Sequence, residues 1–147
     1  MNEKKIAKGL SSFLADSYVL YLKTQNFHWN VEGEGFYFLH KMFQEQYEDL
    51  AEAVDLIAER IRGLKLKSPG SMKEFLELSR IKEALGSEGS SDMILKLTED
   101  HEKIIESLRS LINEAASEHD EGTVDMYVER LRVHEKTAWM LRSHLQN

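Results

Sequence analysis

The sequence has no cysteine, a single proline and only eight glycines in 147 residues. Without thiols there can be neither a disulfide framework nor a zinc-thiolate site, so any metal must be held by imidazole, carboxylate or neutral oxygen. Few prolines and glycines mean few of the turns that sandwiches and barrels need. With 41% hydrophobic and 31% charged residues, the balance suits amphipathic helices. No stretch approaches the ~20 apolar residues that span a bilayer, and the opening MNEKKIAKGL lacks the apolar core of a secretory signal. The expectation is a cytoplasmic protein without membrane contact. Positive charge is also in deficit, and a net charge of −7 repels duplex DNA on average. Lys4, Lys5 and Lys8 form the one dense N-terminal basic cluster, which reads as a solvated helix end.

The chain is long enough for one full hydrophobic core and too short for two, so residues 1–147 are read as a single domain. Ile6, Leu10, Phe13, Leu14 and Tyr21 recur at helical spacing and predict a helix from about residue 4 to residue 29. Gly33 and Gly35 break the pattern. A second helix follows on Phe36, Leu39, Phe43, Tyr47, Leu50, Val54, Ile57 and Ile61 and stops near Gly63. Pro69, Gly70, Gly86 and Gly89 mark turns in the long segment from Leu64 to Ser90, within which Ser71 and Glu74 form a capping box for a short helix. A third helix spans about Ser91 to Ser117 on Ile94, Leu97, His101, Ile104, Leu108, Leu111 and Ala115. The fourth spans about Thr123 to Leu145 on Val124, Val128, Leu131, Ala138, Leu141 and Leu145. Short links within the first and last pairs, with a long link between the pairs, predict an all-α, up-down-down-up bundle of the ferritin-like type.

The run NFHWNVEGEGFYFLHKMFQEQYEDLAEAVDLIAER holds His28, His40, Gln44, Asp55 and Glu59. His40 with Gln44, and Asp55 with Glu59, stand one helical turn apart, so each pair can approach a common cation from one face. The two pairs cannot meet within one chain, because fifteen residues of helix separate His40 from Asp55, about 22 Å along the axis. Symmetry can join them. If this helix packs antiparallel on its own copy about a twofold axis between Asp49 and Leu50, His40 faces Glu59 and Gln44 faces Asp55. His28 completes the cluster from the preceding helix, and each dimer interface then carries two equivalent sites. Solvated acids at helical spacing are the commoner reading of Asp55 and Glu59 alone; the reciprocal numbering favours a metal. Imidazole with carboxylate suits iron, manganese or zinc. Glu-x-x-His, the spacing that builds a di-iron site inside one bundle, occurs nowhere, which again points to the interface.

At these residues the sequence resembles the Dps family, the mini-ferritins. The specific part is a histidine followed by Trp29, a second histidine twelve residues on, then D-x-x-x-E-R ending at Arg60. The resemblance implies a hollow dodecamer that oxidises ferrous iron with hydrogen peroxide or dioxygen and stores the ferric product, protecting against oxidative damage. It implies ligands His28 and His40 from one subunit and Asp55 and Glu59 from its mate, with Trp29 intercepting radicals or electrons. Tyr21, Tyr37 and Tyr47 are assigned to packing. The family usually has a carboxylate where this chain has Gln44, whose amide oxygen brings no charge, so the second iron position is expected to be weaker. Asp120, Asp125 and Glu129 match acids that line the family's threefold iron pore, although helix N-terminal acids also explain Asp125. His101, His134, His119 and His144 are assigned to core or terminal packing. The alternative function is a nucleoid-associated shell that binds and compacts DNA, with secondary iron chemistry; a third is an inert helical scaffold.

Overall fold

The computed structural model describes residues 1–145, in which the regular structure is wholly helical: α1 (Glu3–Asn30), α2 (Phe36–Gly63), α3 (Met72–Leu78), α4 (Ser90–Ser117) and α5 (Glu121–Ser143). The Asn2 side chain accepts from the Lys5 amide and starts α1, which buries Ile6, Leu10, Phe13, Leu14, Leu20 and Phe27. Gly33 and Gly35, with φ of 89° and 80°, reverse the chain in a backbone region that other residues enter at a cost. The predicted capping box at Ser71 and Glu74 is formed, and α3 follows it. Beyond it, Asp16 in mid-α1 accepts from Ser79 Oγ at 2.9 Å and from the Arg80 amide at 2.8 Å, anchoring the long connection across α1.

Cross-helix contacts give the topology. His28 meets His40, Phe27 meets Phe43 and Tyr21 meets Tyr47, so α2 runs antiparallel to α1. Asn2 bonds Glu118 while Lys23, near the other end of α1, bonds Asp100, so α4 is also antiparallel to α1 and hence parallel to α2. Arg109 with Glu135, and Glu102 with Arg142, set α5 antiparallel to α4. The result is the expected up-down-down-up bundle. α1 and α4 come close at Gly9, where an added Cβ would lie 2.7 Å from Leu111 Cδ2.

The core is apolar and continuous, and each fully buried Leu, Ile or Phe contributes about 1.5–3 kcal/mol. Three polar links cross it. Lys23 and Asp100 pair at 2.8 Å with both side chains 5% exposed, and burial raises the Asp100 pKa. His101 and His134 share a hydrogen bond between their Nδ1 atoms at 2.8 Å. Arg130 grips Asp49 with two bonds, of 3.1 and 3.0 Å, tying α5 to α2.

α5 differs from the reading of the sequence. Val124, Val128 and Leu131 were expected to face inward, yet they are half-buried, and the buried stripe is Thr123, Tyr127, Arg130, His134, Ala138 and Leu141. The difference is confined to the first half of the helix, where the buried stripe lies about one residue, near 100°, from the expected one; Ala138 and Leu141 are buried as expected. The cause is that Thr123, Arg130 and His134 all have polar partners inside, so a face that looks hydrophilic in sequence can be buried. The helix also begins earlier than expected, at Glu121, because Asp120 caps it.

Candidate metal centre

His28 lies in the last turn of α1 and His40 in the second turn of α2, and the hairpin stacks their rings at 3.9 Å between centroids, 14° from parallel. Their hydrogen bonds are reciprocal: His28 Nδ1 lies 2.7 Å from the His40 carbonyl oxygen, and His40 Nδ1 lies 2.8 Å from that of His28. A carbonyl can only accept, so each Nδ1 carries the proton and each Nε2 keeps a bare lone pair. This is the tautomer that binds a cation, with ring orientation already set by the second nitrogen. Phe36 stacks on His40 at 5.1 Å and Tyr47 packs edge-on against His28 at 5.1 Å, which further restrains both rings.

One turn beyond His40, the Gln44 amide nitrogen donates to Glu48 at 2.9 Å. Because the amide is planar and the carboxylate accepts only, the Gln44 oxygen is turned away from Glu48 and has no hydrogen-bond donor among the described residues. Asp55 and Glu59 stand exposed one turn apart on α2, and neither enters a hydrogen bond or ion pair among the described residues. The chain does not bring them to the histidines, and no group of three or more His, Asp or Glu able to hold a metal occurs among the described residues. Two donors with fixed lone pairs and two unpartnered acids therefore occupy separated parts of one helical hairpin.

Of the three proposed pore acids, Asp125 and Glu129 are exposed. Asp120 is not: the residue is 2% exposed within its own chain and accepts from the Thr123 amide at 3.2 Å, from the Thr123 hydroxyl and from Arg60 at 2.6 Å. Burial works against its charge, but the Thr123 bonds and the Arg60 guanidinium outweigh that and hold its pKa below the ordinary value. Its role is to cap α5 and fasten it to α2. Gly122 makes room, since an added Cβ would sit 3.0 Å from the Arg60 guanidinium. The Arg60 tie was hidden in sequence because it joins residues sixty positions apart; the one visible hint was Asp three residues before Thr at a helix start.

Trp29 is 61% exposed and pairs with no other aromatic ring among the described residues. Tyr37 is also exposed, touching Phe38 and Lys41. Tyr47 and Tyr21, by contrast, continue inward from His28.

The bundle thus carries His28 on its first helix and His40, Asp55 and Glu59 on its second, and a family model for the ferritin-like domain matches residues 7–147. Among curated proteins, DNA protection during starvation protein 2 of Bacillus anthracis is 38% identical over 97% of both chains. An uncharacterized low temperature-induced protein of Anabaena variabilis is 42% identical over 93% of this chain and 78% of its own length. Among solved structures, Dps from Staphylococcus aureus superposes with a TM-score of 0.97 at 33% identity, covering 99% of this chain and 98% of that one. A Dps protein from Vibrio cholerae O1, described as a member of a broad superfamily of ferritin-like diiron-carboxylate proteins, gives 0.94 at 32% identity over 98% and 91%. The chain belongs to the Dps family of ferritin-like proteins.

Proposed function

We propose that copies of this chain assemble into a closed shell that oxidises ferrous ions at centres shared by twofold-related subunits and retains the ferric product inside. The observation that carries this reading is the reciprocal locking of His28 and His40, which leaves two Nε2 lone pairs with no acid of their own chain to complete a site. Asp55 and Glu59 are the free carboxylates on the same helix, and antiparallel pairing of α2 would place a partner's copy of them opposite the imidazoles. The diiron-carboxylate description of the Vibrio cholerae relative supports iron as the ion bound. Imidazoles hold the ferrous ion, and carboxylates favour the higher charge that follows electron loss. Two ferrous ions give one electron each to hydrogen peroxide; its O–O bond breaks and two protons are taken up to form two waters. Dioxygen is the alternative acceptor. Asp125 and Glu129, clustered in a narrow entry, would concentrate cations by field focusing.

The test exploits the split site. His28→Ala and Asp55→Ala subunits are each expected to be slow in peroxide-dependent ferrous oxidation, as is the double variant. A mixed dimer of the two single variants regains one intact centre, so random pairing restores about a quarter of the sites. Light scattering on the same samples reports assembly, for which a dodecamer is expected. A mixture no faster than its components, or a monomeric parent, overturns the shared centre.

A shell that binds DNA is the second reading, supported by the exposed Lys4, Lys5 and Lys8 on the first turns of α1, repeated on every subunit. Against it, Lys5 already lies 3.9 Å from Glu118 and the chain carries a net charge of −7. A gel shift at low salt without divalent metal separates the readings, and no shift leaves the iron function alone.

A further inference from the structure

Gln44 stands one helical turn beyond His40, and Glu48 one turn beyond Gln44, so the three share a face of α2. The Gln44 amide nitrogen donates to Glu48 at 2.9 Å, and a carboxylate, which only accepts, can be met by that nitrogen and not by the amide oxygen. Chemistry therefore fixes which way the amide points: a half-turn about its last bond would set oxygen against oxygen. Little competes for Glu48. It pairs with no Lys, Arg or His among the described residues, and no lysine or arginine occurs in the sequence between Lys41 and Arg60. In the antiparallel pairing of α2 proposed above, position 48 faces position 51, and Ala51 brings no polar side chain that could draw the carboxylate away. Glu48 is exposed, so packing does not account for it.

Given cation binding at the paired histidines as proposed above, on which this rests, we infer that Glu48 is a positioning residue for the second cation position: it holds Gln44 with the amide oxygen available to the cation, and through the amide it supplies part of the negative charge that Gln44 lacks. Glu48 acts through Gln44 and is not itself a ligand. A glutamine amide that nothing holds presents either its oxygen or its NH2, and the NH2 carries partial positive charge that repels a cation. Held by Glu48, the amide directs a donor to the carboxylate and keeps its acceptor for the other side. His40 and Glu48 flank Gln44 by one turn each, so a cation at the imidazoles approaches the amide from the side opposite Glu48. The hydrogen bond to a carboxylate also polarises the amide and moves electron density toward its oxygen.

The test is a double-mutant cycle on the assembled protein, with zinc as a redox-silent cation followed by titration calorimetry. The zinc binding that His28→Ala abolishes defines the centre. Glu48→Gln keeps the size of the side chain but offers Gln44 either a donor or an acceptor, so the amide is no longer held one way. It should weaken zinc binding at the centre about tenfold, within the range for lost outer partners of metal ligands. In a Gln44→Leu background, where no amide remains to be oriented, the same Glu48→Gln change should alter affinity by less than about twofold. Glu45→Gln, an exposed acid on another face of the same turn, controls for bulk charge and should also change affinity by less than about twofold. Circular dichroism and light scattering on each variant report fold and assembly. An equal loss from Glu48→Gln in both backgrounds would make Glu48 a ligand or a distant charge and overturn the positioning role, as would an unchanged affinity in the parent background. Absence of any His28-dependent zinc binding in the parent would overturn the shared centre as well.

Discussion

Acidification should loosen the core through the His101–His134 pair, and the size of the effect follows from their burial. Both rings are at most 2% exposed. Arg130 Nη2 lies 3.4 Å from His134 Nε2 and can only donate, so that nitrogen accepts and His134 Nδ1 carries the proton given to His101 Nδ1. His101 Nε2–H is then left buried without a partner among the described residues. Burial first, then the Arg130 charge, lowers the His101 pKa from 6.5 to about 3; burial, His101 and Arg130 push His134 down as well. The unfolded chain protonates both imidazoles below their ordinary pKa while the folded chain does not. Stability from the neutral pair is therefore complete above 6.5 and drains away as pH falls from there toward about 3. At about pH 5, His101 alone accounts for a loss of about 2 kcal/mol, and His134 adds to it in the same direction. The assay is urea unfolding followed by circular dichroism at several pH values between about 7.5 and 5, on the parent and on a His101→Leu, His134→Leu double variant. Leucine removes both partners together and preserves an apolar fit, so the variant should lose clearly less stability on acidification. Parallel pH profiles within about 0.5 kcal/mol would refute the reasoning.

Three further outcomes are expected. Lys23→Met should destabilise by about 3–5 kcal/mol by stranding buried Asp100, and Lys23→Met with Asp100→Leu should recover most of that; calorimetric midpoints report both. Gln44→Glu should tighten the second cation position and speed ferrous oxidation, read by titration with zinc as a redox-silent probe and by the oxidation rate, at a helix cost of only about 0.2–0.5 kcal/mol from repulsion by Glu48. Unchanged affinity and rate would mean that the missing charge does not matter. His119, held at φ 59° in the turn between α4 and α5, should gain about 1 kcal/mol on replacement by glycine, seen as a rise in Tm.

The helices, their order and the short capped helix in the connection were legible in sequence because hydrophobic spacing and cap chemistry are local properties. Four of five elements end within about three residues of where periodicity and glycine place them, and α3 follows its capping box. The pairing of His28 with His40 was partly legible. Their place on either side of a tight reversal put them near each other, but nothing in the sequence says that each ring would bond the other's backbone and so expose Nε2.

What sequence alone determined was therefore periodic and short-range: an all-α bundle, a thiol-free ligand set, and acids and imidazoles too far apart on one helix to share an ion. Tertiary structure decided everything that depends on partners distant along the chain. It set the first half of α5 so that Arg130 lies inside, took Asp120 out of the solvent to meet Arg60, and aligned Tyr47, Tyr21 and Tyr18 in contact. The physical reason is the same each time: a polar or aromatic side chain is placed by the group that satisfies it, and local spacing carries no record of which distant group that is.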